Sequence, residues 1–145
     1  MEKTTNTKCM DLWLEEYRNR EDESSSITER QEYELQTLEY SINREVSQRG
    51  EVSSTARFGI LSVISNNFPS RQLVRWILNI RQFYNGYINV RNNKKAIPHE
   101  TISFVKARCT KLSLHYKLDA PDQIRLSLSV HASIVVTNGQ KITNY

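Results

Sequence analysis

Three evenly spaced histidines, His99, His115 and His131, are the side chains with the most obvious chemical potential, because imidazole is the commonest metal ligand and titrates near neutral pH. Two of them fall on the polar faces of alternating segments. Matching the apolar faces across Asp119-Ala120-Pro121-Asp122 sets Leu118 opposite Ile124, Leu112 opposite Val130, Lys111 opposite His131 and His115 opposite Ser127. His115 and His131 are then four positions apart along the sheet, about 13 Å, which argues against a shared metal. Carboxylates are scarce after Gly50: Glu51, Glu100, Asp119 and Asp122, the last two reading as turn residues rather than as a general acid and base. There is no glycine-rich phosphate loop, no G-x-S-x-G and no H-E-x-x-H, and the chain has only 4 Gly. Cys9 and Cys109 form no C-x-x-C spacing and read as free thiols. No catalytic residue, cofactor, metal ligand or small-molecule substrate is expected, so the chain reads as a binding and assembly protein, not an enzyme.

What remains is charge. Arg71, Arg75, Arg91, Lys94, Lys95, Lys106, Arg108, Lys111, Lys117 and Arg125 are spread over several elements without an aromatic RNA-reading pattern. Such a set fits phosphate backbone or lipid head groups better than base edges, with affinity falling steeply in salt. Residues 1 to 50 carry 7 Lys/Arg against 12 Asp/Glu, and residues 51 to 145 carry 13 against 4. An acidic front thus precedes a basic rear, which can attract nucleocapsid or RNA, a peripheral anionic membrane, or the front of another copy.

The elements that would position these groups follow from periodicity. With 38% hydrophobic and 25% charged residues the 145-residue chain is apolar enough to fold as one module. Met10, Trp13, Leu14 and Tyr17 lie at helical spacing, and Ser26-Ile27-Thr28-Glu29 is a capping box for a second helix with the stripe Leu35, Leu38, Ile42 and Val46, ending at Gly50. That narrow stripe suits self-association. Residues 57–65 read as a buried strand, and a helix starts at Ser70 and runs to Gly86, with Leu73, Val74, Ile77, Ile80 and Tyr84 on its apolar face and Trp76 beside it. Residues 97–106 fit either helix or strand. Beyond them the period becomes two: Leu112, Leu114, Tyr116 and Leu118, then Ile124, Leu126, Leu128, Val130, Ala132, Ile134 and Val136. Asn138-Gly139 closes a second hairpin. A strand of about 13 residues exceeds the usual length, so it is bulged or pairs elsewhere at one end. The expected fold class is α+β: N-terminal amphipathic helices in an acidic region 1–50, followed by a basic core 51–145 whose mostly antiparallel sheet packs on one central helix.

The order of elements over about residues 57–118, carried by RFGILSVISNNFPSRQLVRWILNIRQFYNGYINV, resembles the core domain of rhabdovirus matrix proteins. The resemblance implies a viral structural protein that self-associates and bridges nucleocapsid and membrane. An alternative is a small dimeric RNA-binding protein, such as a viral suppressor of RNA silencing, joined through Leu35, Leu38, Ile42 and Val46. No run approaches the roughly 20 apolar residues of a spanning helix, and the N-terminus lacks an apolar secretory segment, so host cytoplasm and virion are expected, without secretion.

Overall fold

The computed structural model describes residues 8–17, 31–44, 48–50 and 56–144. The elements are β1 (Cys9–Glu16), β2 (Gln31–Glu39), β3 (Ile42–Asn43), β4 (Arg57–Phe58), β5 (Leu61–Ser65), α1 (Arg71–Leu78), β6 (Tyr84–Arg91), β7 (Glu100–Lys117), β8 (Ala120–Thr137) and β9 (Gln140–Thr143). A seven-stranded antiparallel sheet runs β5-β2-β1-β6-β7-β8-β9, and an added β5–β8 pairing rolls it into a closed barrel with β9 outside the closure. β3 and β4 form a separate small ribbon.

This corrects the expected α+β class: the molecule is mostly β-barrel, with one short helix and no N-terminal amphipathic helices among the described residues. Met10, Trp13 and Leu14 sit at helical spacing, but Met10, Leu12 and Leu14 also alternate, and short apolar runs satisfy both periods. The tertiary partners decide. β1 pairs with β6 from Cys9↔Arg91 to Glu16↔Tyr84, which buries Leu12 and Leu14 and turns Asp11 and Trp13 outward. β2 pairs with both β1 and β5, so Tyr33 and Leu35 enter the core. Ladders therefore cross residue 50. The stripe read as a helical seam is dispersed: Leu35 is core, Leu38 packs against it, and Ile42 is exposed on β3. Val46 and the capping box at Ser26 to Glu29 lie outside the described residues.

The helix beginning at Ser70 is present but ends at Leu78. Ser70 Oγ accepts from the Leu73 N–H, while Asn79 stops the helix by accepting from Arg81 N–H through Oδ1 and from Gln82 N–H through its carbonyl. Tyr84 consequently starts β6, and Ile80 is left 82% exposed. Trp76, 1% exposed, fills the core below α1, donates its indole N–H to Ala107 O at 3.0 Å and meets the Tyr84 ring edge-on at 5.0 Å. The open segment 97–106 becomes strand from Glu100.

The alternation along β8 also breaks. Lys106 adopts φ 51°, its N–H donates to Asn85 Oδ1, and Ser133 Oγ donates to its carbonyl. Beyond this kink Val135 and Thr137 take the buried positions while Ile134 and Val136 are half-buried. Asn144 ties the small ribbon to the barrel: Oδ1 accepts from Phe58 N–H at 2.9 Å, and Nδ2 donates to Phe58 O at 3.0 Å and Ala132 O at 2.9 Å. Gly86 faces Phe104 across β6 and β7, and a Cβ there would stand 2.5 Å from Phe104 Cζ and 2.6 Å from Trp13 O. Gly86→Ala is therefore expected to lower stability by about 1–3 kcal/mol, read as an earlier urea midpoint at unchanged m-value.

Candidate functional site

β7 and β8 are far longer than their neighbours and form an arm. Beyond Ala107 no described strand pairs with the β6 side of β7, and β5 covers β8 only from Leu126 to Val130. The two strands continue together as a hairpin, with Leu112↔Leu128, Leu114↔Leu126, His115↔Arg125 and Lys117↔Ala120, and Leu118-Asp119 makes the turn. The turn is shorter than the sequence suggested, and register shifts at Cys109/Lys111 and His115/Lys117 move every pair. His115 thus meets Arg125, and His131 meets Arg108. Among the described residues no group of three or more His, Cys, Asp or Glu could hold a metal ion.

The side-chain stripe that fills the barrel runs on along the arm after the barrel has ended. Leu112 is half-buried, Leu114 and Tyr116 are 41% and 40% exposed, and Leu118 is 87% exposed. Phe68 covers part of it, its ring 5.2 Å from that of Tyr116. Contiguous apolar surface of this kind, rimmed by charge, marks a docking region. Sequence reasoning found the alternation but assigned these residues to a buried face. The signal it held was the excess length of the strand.

The cations of the sequence analysis separate into distinct places. Arg71 and Arg75 are exposed on α1, beside an open groove with Val74 and Leu78; Lys94 and Lys95 lie in the turn after β6. Arg91 is half-buried, and its Nε has no hydrogen-bond partner among the described residues. Lys106 and Arg108 converge on the Phe83 ring, with Nζ 5.2 Å and Cζ 5.0 Å from its centroid, and Lys106 also lies 5.8 Å from the Tyr17 ring. Lys111, Lys117 and Arg125 are exposed on the arm. The structure brings Lys106, Arg108, Lys111, Lys117 and Arg125 onto the paired strands β7 and β8, together with Ser113, Ser127 and Ser129; Arg71, Arg75, Arg91, Lys94 and Lys95 are elsewhere.

Two buried protons respond to this framework. Tyr33 reaches Gln72 Oε1 and Ser70 Oγ at 2.6 Å and Gln31 Oε1 at 2.8 Å, so its one phenolic proton serves one glutamine oxygen at a time while Ser70 can donate back. Burial raises its pKa against the lowering effect of Ser70. Burial likewise pushes the Cys109 thiol from 9.0 up to about 11, partly offset by its bond to Lys111 O. Both groups have higher pKa values folded than unfolded. The stability they confer is therefore fully present below the unfolded values and is lost as pH rises through the folded ones. The unfolding free energy should fall as pH climbs from 9 towards about 11, and Cys109→Ala should flatten that fall in denaturant titrations at stepped pH. An identical slope in the variant would show that Cys109 contributes nothing to it.

A closed antiparallel barrel with one short capping helix and a long hairpin arm defines the structural class. The family model for hemolysin coregulated protein Hcp (TssD) matches residues 13–145, and the chain belongs to that family. No curated protein matches by sequence. Among solved structures, Hcp1 from Flavobacterium johnsoniae is similar at 14% identity and TM-score 0.70, covering 92% of this chain and 98% of that one. A type six secretion system protein is similar at 10% identity and TM-score 0.62, covering 91% and 89%. The six-fold symmetrised baseplate of the anti-feeding prophage contains a chain similar at 15% identity and TM-score 0.57, covering 96% and 98%. At these identities the likeness shows the fold.

Family membership overturns the rhabdovirus matrix resemblance, the viral assembly role and the RNA-silencing alternative. The resemblance rested on element order over less than half the chain, and the long helix it needed ends at Leu78. Host cytoplasm and virion without secretion is also overturned, because Hcp proteins belong to secretion systems and are secreted. No described helix is long and apolar enough to cross a membrane. Hcp proteins self-assemble, so the expected homo-oligomer stands, whereas nucleocapsid, RNA and membrane partners gain no support.

Proposed function

We propose that this chain is the ring-forming subunit of a type VI secretion tube, with six copies closing into a ring and rings stacking into a tube. The observation that carries this reading is the arm: among the described residues, Leu114 and Tyr116 on β7 and Leu118 at the turn are apolar side chains that only Phe68 partly covers, and the outer edge of β7 beyond Ala107 has no described partner strand. Surface like this is stable in solution only when another chain covers it. The family match and the likeness to a type six secretion system protein and to a six-fold baseplate chain supply the kind of assembly. The role is structural and asks no chemistry of the protomer, consistent with the absence of any catalytic constellation in the sequence.

Native mass spectrometry and negative-stain microscopy of the purified chain test the reading, with a closed ring of six copies as the expected species. A monomer at every concentration up to the high micromolar range would overturn it. Tyr116→Asp with Leu118→Asp should abolish the ring while leaving the protomer folded, with a cooperative transition lowered by only a few degrees, because Leu118 is 87% exposed and Tyr116 gives up its contact with the Phe68 ring. Rings that survive the double substitution would remove the arm from the interface.

A further inference from the structure

The closed order β5-β2-β1-β6-β7-β8 places the β1–β2 pair across the barrel from the β7–β8 pair, three strand positions away in either direction. The two pairs carry opposite charge on their outward faces. On β1–β2, Asp11 stands directly opposite Glu34, and Glu32 stands opposite Trp13 one pair along. On β7–β8, His115 stands opposite Arg125 and Arg108 opposite His131, with Lys111 opposite Ser129 and Lys117 near the tip. Like charges directly across a ladder destabilise it, and on β6 Arg91, opposite Cys9, is the cation diagonal to Asp11. This chain keeps one such pair on the acidic side and cationic neighbours on the basic side. Serines, not carboxylates, separate the cations: Ser113 pairs with Ser127, and Ser62 pairs with Ser129.

Unpaired backbone coincides with both faces. Beyond Leu35 no described strand pairs with the β1 side of β2, so that edge of Gln36 to Glu39, next to the acidic set, has no partner among the described residues. Beyond Ala107 the β6 side of β7, next to Lys111 and Lys117, likewise has no partner among the described residues. An open edge accepts a strand from another chain by main-chain hydrogen bonds, and side-chain charge then selects which strand and which register.

We infer that the acidic face and open edge of β1–β2 receive the basic β7–β8 arm of a second copy of this chain. The inference rests on the ring reading above and deepens it by naming the two surfaces that meet. Because the faces lie on opposite sides of one protomer, a two-fold dimer cannot bring both into contact at once. Head-to-tail repetition uses each face once per copy and leaves none unmatched only when the row of copies closes. Charge then serves both selection and closure, and the contact weakens with ionic strength.

Two charge-reversed variants, Glu32→Lys with Glu34→Lys and Lys111→Glu with Lys117→Glu and Arg125→Glu, alter only exposed side chains. Native mass spectrometry at low and high salt reads the outcome. Wild type should form rings that loosen as salt rises. Each variant alone should lose the ring, since one has two positive faces and the other two negative ones. An equimolar mixture should restore rings in which the two variants alternate, and the chain carrying all five reversals should restore rings of its own. Intact rings in both variants would overturn the charge pairing while leaving the ring reading in place, and a monomeric wild type would overturn the ring reading itself. Loss of rings in both variants with no recovery in the mixture or in the fivefold reversal would also overturn the proposal. Recovery of either variant's ring by added nucleic acid rather than by the complementary variant would assign the basic face to a different partner and overturn it as well.

Discussion

Everything in this molecule depends on the short ladder between β5 and β8, where Leu61, Val63 and Ser65 lie opposite Val130, Leu128 and Leu126. Without it the sheet is an open ribbon whose apolar face has no second layer, because the chain supplies only one short helix among its described residues. Closure makes each strand's inner face the covering layer for the strands across from it, and it removes the edges that an open sheet would expose. Leu12, Ile88, Phe104 and Val130 thereby become fully buried although none lies next to the others in sequence. α1 then needs to seal only one side, which Trp76 does through its bulk and its single hydrogen bond to Ala107 O.

A barrel closed this way conflicts with strands as long as β7 and β8. The conflict is resolved by irregularities at defined points: the kink where Lys106 and Ser133 face each other, the shift at Cys109/Lys111, and the shift at Leu35/Thr37 in β2. Each bends a strand or re-aims its side chains, so one hairpin can contribute to the barrel at its base and leave it at its tip. Asn144 resolves a related problem at the other end of β8. Its amide presents one acceptor and two donors to Phe58 and Ala132, doing with a side chain what a further strand would otherwise do with backbone.

The arm is where packing gives way to assembly. The apolar positions that fill the core are continued into solvent by Leu114 and Tyr116 on β7 and by Leu118 in the turn, so the proposed contact surface extends from the barrel rather than standing as a separate patch. A hairpin anchored in a closed barrel loses little conformational freedom when it docks, which suits a contact between copies of the chain. The charge polarity across the barrel adds direction to a contact whose apolar part alone would be indiscriminate.

How much of this was legible in the residues differs by element. The alternation from Lys111 to Ala132, the Ser70 cap and the Asn138-Gly139 turn follow from local rules, since turn, cap and period-two chemistry act over a few residues. So does the opposition of an acidic front and a basic rear, of which the fold sets Asp11, Glu32 and Glu34 on β1–β2 and Arg108, Lys111 and Arg125 on β7–β8. The N-terminal strands were not legible: Met10, Leu12 and Leu14 satisfy either period, and only β6 lying alongside makes the extended choice favourable. Register on β7 and β8 was not legible either, because a slip of two residues keeps every side chain on the same face and is set by distant bulges. Local composition determined which residues are apolar, which are charged and where the chain turns. Tertiary pairing decided which apolar residues become core, which become arm and which charges face one another, because those outcomes depend on strands far apart in sequence being held side by side.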